Sequence, residues 1–272
     1  MSETYSGNYP IERRAGEIER LRLQSAAFAR DTEVMLDLIG VHAGWACLDL
    51  GCGPGGITGP LARRVGASGR VLGLDCDAEF LEHARRHATG NVEFHQGDAY
   101  ASGLARESFD LVHMRFLAST AGDPARLIRE AIALCRPGGI IALQEPDIAT
   151  LRCYPPHPAW TILKEIVTEA FRSVGGDVHL ARSLYRLARQ AGLLDVHFRP
   201  VLIGVRSTDP MVDYLPATVE SLRGTIARLG LIADEPLNAA LGDTRRHLQN
   251  PDTVFTLYTV AQVWGRKPGQ GA

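Results

Sequence analysis

From residue 46 onward, short apolar runs alternate with stretches in which apolar residues recur at helical spacing. This alternation predicts buried β-strands joined by α-helices, and therefore a parallel sheet covered on both faces. Capping residues mark where helices begin: Asp77 precedes one helix, and Asp123 with Pro124 precedes another. The five predicted strands lie at 47–50, 71–74, 92–95, 110–113 and 140–143.

After residue 146 the pattern changes to helical stretches around 163–170 and 184–191, a strand at 196–205, two helical stretches between 209 and 248, and a long strand at 254–264. The last two strands could pair as an antiparallel hairpin, with the helices between them as a cap. Residues 10–30 predict one charged amphipathic helix with Ile11, Ile18, Leu21 and Ala26 on its apolar face. The predicted units are a helical cover at 1–40, a ligand-binding core at 41–150, a lid insertion at 151–180, a core helix and strand at 181–208, a helical cap at 209–250, and a last core strand with a tail at 251–272.

Composition and charge exclude several classes of protein. The chain of 272 residues is 45% hydrophobic, and its 29 basic and 31 acidic residues leave a net charge of −2, which argues against a partner held through phosphates. No apolar run approaches the roughly 18 residues that span a bilayer, and residues 1–8 lack a hydrophobic signal core. Five cysteines without a CxxC pair favour a reducing cytoplasm and no metal site. We therefore expect a cytoplasmic protein without nucleic-acid or membrane partners.

A glycine-rich loop follows the first predicted strand. The residues from Asp49 to Gly56 read DLGCGPGG, with the spacing G-x-G-x-x-G at Gly51, Gly53 and Gly56. Glycine permits a tight turn and close approach of a ligand to the partially positive start of a helix. In an open parallel sheet, this edge is where ligands bind.

Acidic residues follow the first three strands. Asp75 ends the second strand, 24 residues after Gly51, where a carboxylate accepts hydrogen bonds from ribose hydroxyls. Asp98 follows the third strand, where it could meet an adenine amino group, while Asp49 could orient the loop. Each could instead be a capping or solvated acid. Because Asp49 precedes the glycines and Pro54 stiffens the loop, an amino-acid tail fits this site better than a diphosphate.

These residues resemble the class I S-adenosylmethionine-dependent methyltransferases. The strings CLDLGCGPGGIT, VLGLD, QGDA, FDLVHMRF and LCRPGGIIALQEPD are similar to that family's successive signatures across residues 45–147. The strings VWGRKP and LARSLYRLARQAGL look like its bacterial small-molecule, natural-product branch, and IERRAGEIERLRLQ resembles the helix that covers the cofactor there. The resemblance implies an α/β fold with a Rossmann-like parallel sheet of seven strands, the last strand antiparallel, and a helical lid. It also implies that Gly51 and Gly53 of the loop contact S-adenosyl-L-methionine and that Asp75 binds its ribose. Its adenine would be contacted by Cys76, Asp98 and Ala99.

Methyl transfer is an in-line displacement, so the protein must align the nucleophile, and a hydroxyl or protonated amine also needs a base. His113 ends the fourth strand and is the best-placed base, although strand alternation could turn it into the sheet. Arg115 could bind a substrate carboxylate or pair with an acid. The other catalytic candidates are Glu145, Asp147, Tyr9 and His179, each with a packing, capping or surface alternative, and the other cofactor candidates are Asp49, Met114 and Gln24.

The predicted activity is methyl transfer to oxygen, nitrogen or carbon of a small-molecule acceptor, and the expected assembly is a homodimer. One alternative keeps the fold and uses the bound sulfonium as a fixed charge for cyclisation or rearrangement. A second alternative, a nicotinamide-dependent dehydrogenase, is supported only by the glycine spacing. A third alternative is a binding subunit without turnover. The Asn-Pro-Pro-aromatic motif of nucleic-acid methyltransferases is missing after the fourth strand, and no third acid completes a catechol-type metal site.

Overall fold

The computed structural model describes residues 16–88, 90–120 and 122–269. Strands and helices alternate through residue 147, except between the third and fourth strands, which an irregular segment joins. In chain order the elements are α1 (Glu17–Ala27), α2 (Ala29–Ile39), β1 (Ala46–Leu50), α3 (Thr58–Val65), β2 (Arg70–Asp75), α4 (Ala78–Arg86), β3 (Val92–Gln96), β4 (Phe109–Arg115), α5 (Pro124–Leu134), β5 (Cys135–Asp147), a 3-10 turn (Ile148–Thr150), β6 (Arg152–Tyr154), α6 (Pro158–Ser173), α7 (Ala181–Gln190), β7 (Leu194–Val201), β8 (Gly204–Arg206), α8 (Tyr214–Ser221), α9 (Arg223–Leu229), α10 (Asp234–Gln249), β9 (Val254–Thr256) and β10 (Thr259–Arg266).

Seven strands form the main sheet in the order β3-β2-β1-β4-β5-β10-β7. The first five are parallel, and β10 runs antiparallel to both of its neighbours, β5 and β7. The predicted fold class, with the last strand antiparallel, is therefore confirmed. The strand order reverses beside β1, so the loops after β1 and β4 diverge there and open a crevice at the carboxyl edge of the sheet.

Helices cover both faces of the sheet, as its apolar runs require. On one face α5 and α7 pack on β4 and β5, with Leu127 and Leu184 fully buried, and on the other α2 and α3 cover Cys47 and Leu111. Both predicted caps are confirmed. The Asp77 carboxylate accepts hydrogen bonds from the first turn of α4, and Asp123 does the same for α5.

A second cluster of apolar side chains joins α6, α8, α9 and α10 to a small three-stranded sheet, β6-β9-β8. Three helices, rather than the two predicted, lie between 209 and 250. Each long strand predicted for this half is in fact two strands, β7 with β8 and β9 with β10. Leu257 and Tyr258 interrupt the second pair, and both are buried although they are consecutive, which strict alternation does not allow.

The N-terminal prediction of a single helix is wrong in two respects. Two helices, α1 and α2, meet at Phe28, and Ile11 lies outside the described residues. The buried side of α1 consists of Glu17, Arg20 and Gln24, whereas Ala26 is exposed. This helix buries polar groups because it lies over a cavity with polar walls. Of the helices in the described ranges, none combines the length and apolarity that crossing a membrane demands.

Candidate functional site

A cavity of about 590 Å³ lies between the carboxyl edge of the sheet and helices α1, α6 and α8. Two groups of residues line it. The wall built from the loops after β1, β2 and β3 is called the loop end. The wall built from α1, α6, α8 and neighbouring segments is called the lid end. The loop end comprises Asp49, Gly51, Gly53, Asp75, Cys76, Phe80, Asp98 and Ala99, and the lid end comprises Gln24, Phe116, Ile148, Leu151, Val167, Phe171, Val178, Tyr214, Leu215, Thr218 and Tyr258.

The glycine loop is held against β2 by its own backbone. The N–H groups of Gly51 and Cys52 donate to the Leu74 carbonyl at 2.7 and 3.0 Å. Gly51 has a φ of +75°, and a Cβ there would lie 2.8 Å from the Leu117 side chain. Gly53 also has a positive φ, +52°, but a Cβ there would meet no protein atom within 4 Å. The positive φ and the nearby Leu117 side chain therefore both favour glycine at position 51, whereas glycine at position 53 leaves the cavity open.

The Asp75 carboxylate is tied to two loops and retains acceptor capacity. Its Oδ2 accepts from the Gly53 N–H at 2.7 Å, and its Oδ1 accepts from the Asp77 N–H at 2.9 Å. Burial raises the pKa of Asp75, while the two backbone donors oppose that shift. Each carboxylate oxygen can accept a second hydrogen bond, so two positions remain for the hydroxyls of a ligand.

The loop after β3 brings Asp98 and Ala99 to the same wall. The Asp98 Oδ1 accepts from the Tyr100 N–H at 2.8 Å, which fixes the carboxylate at the cavity edge. Cys76 and Phe80 line the cavity beside them, and Gln96 holds the Cys76 carbonyl at 3.0 Å. A flat, weakly polar group fits between these side chains.

His113 does not line the cavity, which corrects its prediction as the general base. It is fully buried, and its Nδ1 lies 2.9 Å from Asp49 Oδ1 while its Nε2 lies 3.0 Å from Gln144 Nε2. The Gln144 Oε1 accepts in turn from Gln262 and Thr32. These contacts fit a neutral imidazole that donates to Asp49 and accepts from Gln144. His113 therefore positions Asp49 and has no free nitrogen for a ligand.

Arg115, at the end of β4, reaches the cavity from beneath α1. Its Nη2 donates to Ser25 Oγ at 3.0 Å, and its guanidinium lies 5.8 Å from the Phe116 ring centre. Burial lowers the pKa of Arg115, and the Asp49 charge opposes that shift. Within the ranges 16–88, 90–120 and 122–269, no carboxylate forms an ion pair with it. Arg115 therefore offers a buried positive charge to an anionic group.

Glu145 and Met114 lie beneath the cavity and do not line it. The buried Glu145 carboxylate accepts from the Ala118 and Ser119 N–H groups at 2.9 and 3.1 Å, which fixes the segment after β4. Burial raises its pKa to about 7. Met114 is fully buried among the side chains that α5 contributes to the core. Because side chains alternate along a strand, both of these side chains point away from the cavity.

Asp147 and His179 bind each other outside the cavity. The His179 Nδ1 and Arg182 Nε lie 2.6 and 2.9 Å from the Asp147 carboxylate. Burial disfavours the charge on Asp147, but hydrogen bonds from Arg182 and His179 outweigh burial and lower its pKa. This cluster joins the end of β5 to the start of α7. Tyr9, the remaining catalytic candidate, lies outside the described residues.

The polar groups of the lid end come from three distant parts of the chain. The Gln24 Nε2 donates to the Tyr258 hydroxyl at 2.6 Å and to the Tyr214 hydroxyl at 2.9 Å, and the two hydroxyls lie 3.0 Å apart. Burial raises the pKa of Tyr258 far above its ordinary value, so the phenol stays neutral. Gln24 was a cofactor candidate, and both of its amide protons are used here. Tyr258 was not predicted, and its only sequence signal is that it breaks an apolar alternation.

Apart from Gln24, the two tyrosines and Thr218, the lid end is apolar. Phe28, Phe116 and Tyr258 pack ring against ring, with centroids 5.7 to 5.9 Å apart. Side chains from the 3-10 turn and α6 continue this wall. Among the described residues that form the lid end there is no Asp, Glu, His, Lys or Cys. Arg20, which lies nearby on α1, is paired with Glu17 at 2.8 Å.

A family model described as a methyltransferase domain matches residues 41–192. A demethylmenaquinone methyltransferase of Lactococcus lactis is 35% identical over 43% of this chain and 48% of that protein. A trans-aconitate 2-methyltransferase of an Azoarcus species is 32% identical over 65% of this chain and 66% of that protein. The chain thus spans about half the length of several curated relatives that it matches. The YcgJ protein of Bacillus subtilis shares the fold, with a TM-score of 0.58, 18% identity, and coverage of 86% of this chain and 97% of that one.

Proposed function

This chain belongs to the family of methyltransferase domains, and we propose that it transfers a methyl group from S-adenosylmethionine to a small-molecule acceptor. The observation that carries this proposal is the Asp75 carboxylate. It is fixed by the Gly53 and Asp77 N–H groups and keeps one acceptor position on each oxygen. Two neighbouring hydroxyls of a ribose match that pair of positions.

The loop end supports contacts along the whole cofactor. We assign the ribose to Asp75, the adenine amino group to Asp98, and the adenine face to the wall formed by Cys76, Phe80 and Ala99. The loop N–H groups at Gly51 and Gly53 donate within the protein, which leaves no donor there for the carboxylate of the methionine part. We assign that carboxylate to Arg115, and the ammonium to Asp49, which His113 orients.

When bound, the cofactor supplies an electrophilic methyl group on a positively charged sulfur. Held by Asp75, Asp98 and Arg115, the cofactor would supply that methyl group to a nucleophile of the acceptor, and the electron pair of the broken carbon–sulfur bond would stay on sulfur. The task of the protein is alignment, and an apolar lid end excludes water while holding the acceptor. The described residues of the lid end include no base, and we infer that the proton of the acceptor passes to solvent before transfer.

The acceptor has a mainly apolar body under this proposal. Side chains of Leu151, Val167 and Phe171 would contact that body, as is typical of sites for small organic molecules. A compound of the secondary-metabolite type fits this description, and the acceptor site would be formed by the segments 151–180 and 209–250 over the core at 41–150.

Calorimetric titration with S-adenosylmethionine tests the assignment. We expect the wild-type protein to bind it, Asp75→Ala to bind at least about tenfold more weakly, and NADH not to bind. Turnover with a library of apolar phenols and enols should release S-adenosylhomocysteine in step with a methylated product. A product formed without S-adenosylhomocysteine would indicate the cyclisation or rearrangement alternative, and equal binding by the wild type and Asp75→Ala would contradict the ribose assignment.

A further inference from the structure

Gln24, Tyr214 and Tyr258 converge in the lid end from α1, from α8 and from the break before β10. Each of the three polar groups is within hydrogen-bond distance of the other two, at 2.6, 2.9 and 3.0 Å. All three side chains line the cavity. We call them the donor triad. No described acid, histidine, cysteine or lysine shares the lid end with them.

A proton count shows that the donor triad has one donor to spare. Three contacts need three protons, and the triad carries four, two on the Gln24 amide and one on each hydroxyl. The amide protons serve both tyrosines, and one hydroxyl proton serves the contact between Tyr214 and Tyr258. The other hydroxyl proton has no acceptor among the described residues. Arg20 Nη1 also lies 3.5 Å from the Tyr214 hydroxyl, so Gln24 and Arg20 together use both lone pairs of that oxygen. Tyr214 therefore donates to Tyr258, and the spare proton is on Tyr258.

The orientation of the Gln24 amide follows from the same contacts. If its oxygen and nitrogen were exchanged, both hydroxyls would have to donate to the amide oxygen, and no proton would remain between the two hydroxyls at 3.0 Å. One of the three contacts would then be unsatisfied at a buried position, which is costly. The orientation with Nε2 toward the tyrosines satisfies all three contacts.

The surroundings make the spare donor strong for a negatively charged oxygen. The rings of Phe28 and Phe116 pack around Tyr258, so the local dielectric constant is low. Among the described residues, the charged side chains nearest the triad are Arg20, which is paired with Glu17 and lies 3.5 Å from the Tyr214 hydroxyl, and Arg115 beyond Phe116. No carboxylate of the lid end would repel an anion.

Resting on the proposed function, we propose that the donor triad binds the oxygen of the acceptor, and that the acceptor is an enol or a phenol held as its oxyanion. The proton of the acceptor passes to solvent, and the spare hydroxyl proton of the triad donates to the oxygen that remains. The triad therefore supplies the specificity that the apolar wall lacks. Binding of the acceptor oxygen uses hydrogen bonds alone, and the cofactor is not consumed in this step.

The test uses 4-nitrophenol as the probe, because its phenolate absorbs visible light, and nitrobenzene as the matched compound without an oxygen to bind. Binding is measured to the full-length protein with and without S-adenosylhomocysteine. Gln24→Glu keeps the shape of the side chain but replaces its two N–H donors with an acceptor. Both tyrosine hydroxyls would then donate to the introduced carboxylate, and no hydroxyl proton would be left for a ligand. Combined Tyr214→Phe and Tyr258→Phe removes both hydroxyls. Thr218→Val is the control, because the Thr218 hydroxyl donates to the Tyr214 carbonyl at 2.8 Å and its proton is already used.

We expect the wild type to bind 4-nitrophenol as the phenolate, with its ionisation shifted to lower pH, and to bind nitrobenzene at least about tenfold more weakly. Gln24→Glu and the double variant should lose about tenfold or more in phenolate affinity and lose the ionisation shift. Thr218→Val should bind like the wild type. Thermal unfolding and S-adenosylhomocysteine titration show whether each variant is folded.

Unchanged phenolate affinity in Gln24→Glu and the double variant would overturn the inference, as would equal binding of nitrobenzene and 4-nitrophenol. A loss of S-adenosylhomocysteine affinity with no change in phenolate affinity would also overturn it, because the triad would then serve the cofactor. Failure of the wild type to bind S-adenosylhomocysteine would overturn the proposed function instead, while the phenol titration without that nucleoside would still decide the role of the triad.

Discussion

The loop end and the lid end of the cavity differ in charge and in how their polar atoms are fixed. In the loop end, the Asp75 carboxylate is held by backbone N–H groups of two adjoining loops, 2 and 22 residues away in the sequence. In the lid end, the donors of Gln24, Tyr214 and Tyr258 hold one another across 190 and 234 residues of chain. A wall fixed by its own backbone suits a constant ligand, whereas a wall assembled by packing can change with the acceptor while the loop end stays the same.

Replacing Asp75 should have the largest effect, because it changes the loop end and leaves the lid end as it is. Asp75→Ala removes two expected hydrogen bonds to a charged acceptor and frees the Gly53 N–H, so S-adenosylmethionine affinity should fall by about a hundredfold, or roughly 3 kcal/mol. Asp75→Asn, which keeps the shape, should lose less. Calorimetry measures both. The affinity of the lid end for 4-nitrophenol should not change in either variant, and a parallel loss there would show that the two ends are not independent.

Glu145 accepts hydrogen bonds from Ala118 and Ser119 in the segment after β4, and its burial predicts a pH dependence of stability. Burial raises its pKa in the folded protein from an ordinary 4.5 to about 7. The protonated form is therefore favoured by folding, so this contribution to stability is complete below about pH 4.5 and is lost as the pH rises through 7, by up to about 3 kcal/mol. Urea unfolding at about pH 5 and pH 8 measures it.

Glu145→Gln is the control for that measurement, because an amide does not titrate. Other ionisable groups contribute alike to the wild type and the variant, so the difference between their pH slopes reports Glu145. The variant should lose the fall in stability between the two pH values. Identical slopes for the two proteins would show that Glu145 has an ordinary pKa and that the segment after β4 is not held in this way.

Two glycines of the loop differ in their surroundings: a Cβ at position 51 would contact Leu117, whereas a Cβ at position 53 would contact no protein atom. Gly51→Ala and Gly53→Ala both place a side chain at positive φ, which costs about 1 kcal/mol. Only position 51 also contacts Leu117. The free energy of unfolding of Gly51→Ala should therefore be lower than that of Gly53→Ala by about 1–3 kcal/mol. Gly53→Ala should instead lose cofactor affinity. Thermal unfolding and calorimetry on both variants test the pair, and a larger stability loss at position 53 would contradict it.

The smallest effect is expected at Asp147, which lies outside both ends. Its partners Arg182 and His179 are partly exposed, so Asp147→Asn should cost about 1 kcal/mol or less. Cofactor affinity and the affinity for 4-nitrophenol should match those of the wild type. A loss of turnover with unchanged stability would restore Asp147 as a candidate base and would place chemistry outside the cavity described above.

The two ends also differ in how much of them the sequence predicts. Asp49, Asp75 and Asp98 were identifiable because parallel strands end at one edge of a sheet, so a residue following a strand has a known location. The inward face of α1 was predicted wrongly, because periodicity assigns apolar residues to the inside, whereas this helix turns Arg20 and Gln24 toward the cavity. Tyr258 was missed because it lies where two strands meet and alternation fails.

The candidate bases show the same limit. His113, Glu145 and Asp147 have suitable chemistry and lie near the carboxyl edge, but the direction of a side chain depends on the register of its strand and on its neighbours. One residue along a strand turns a side chain to the opposite face. The position of a strand end is therefore predictable from the chain, whereas the side chain that enters the cavity is set by packing.

A crystal structure of this protein with S-adenosylhomocysteine and 4-nitrophenol tests the central claim most directly. The account predicts both ribose hydroxyls within about 3 Å of the Asp75 carboxylate oxygens, and the phenol oxygen at a similar distance from the Tyr258 hydroxyl. A nucleoside bound elsewhere, or one whose ribose faces away from Asp75, would contradict the account.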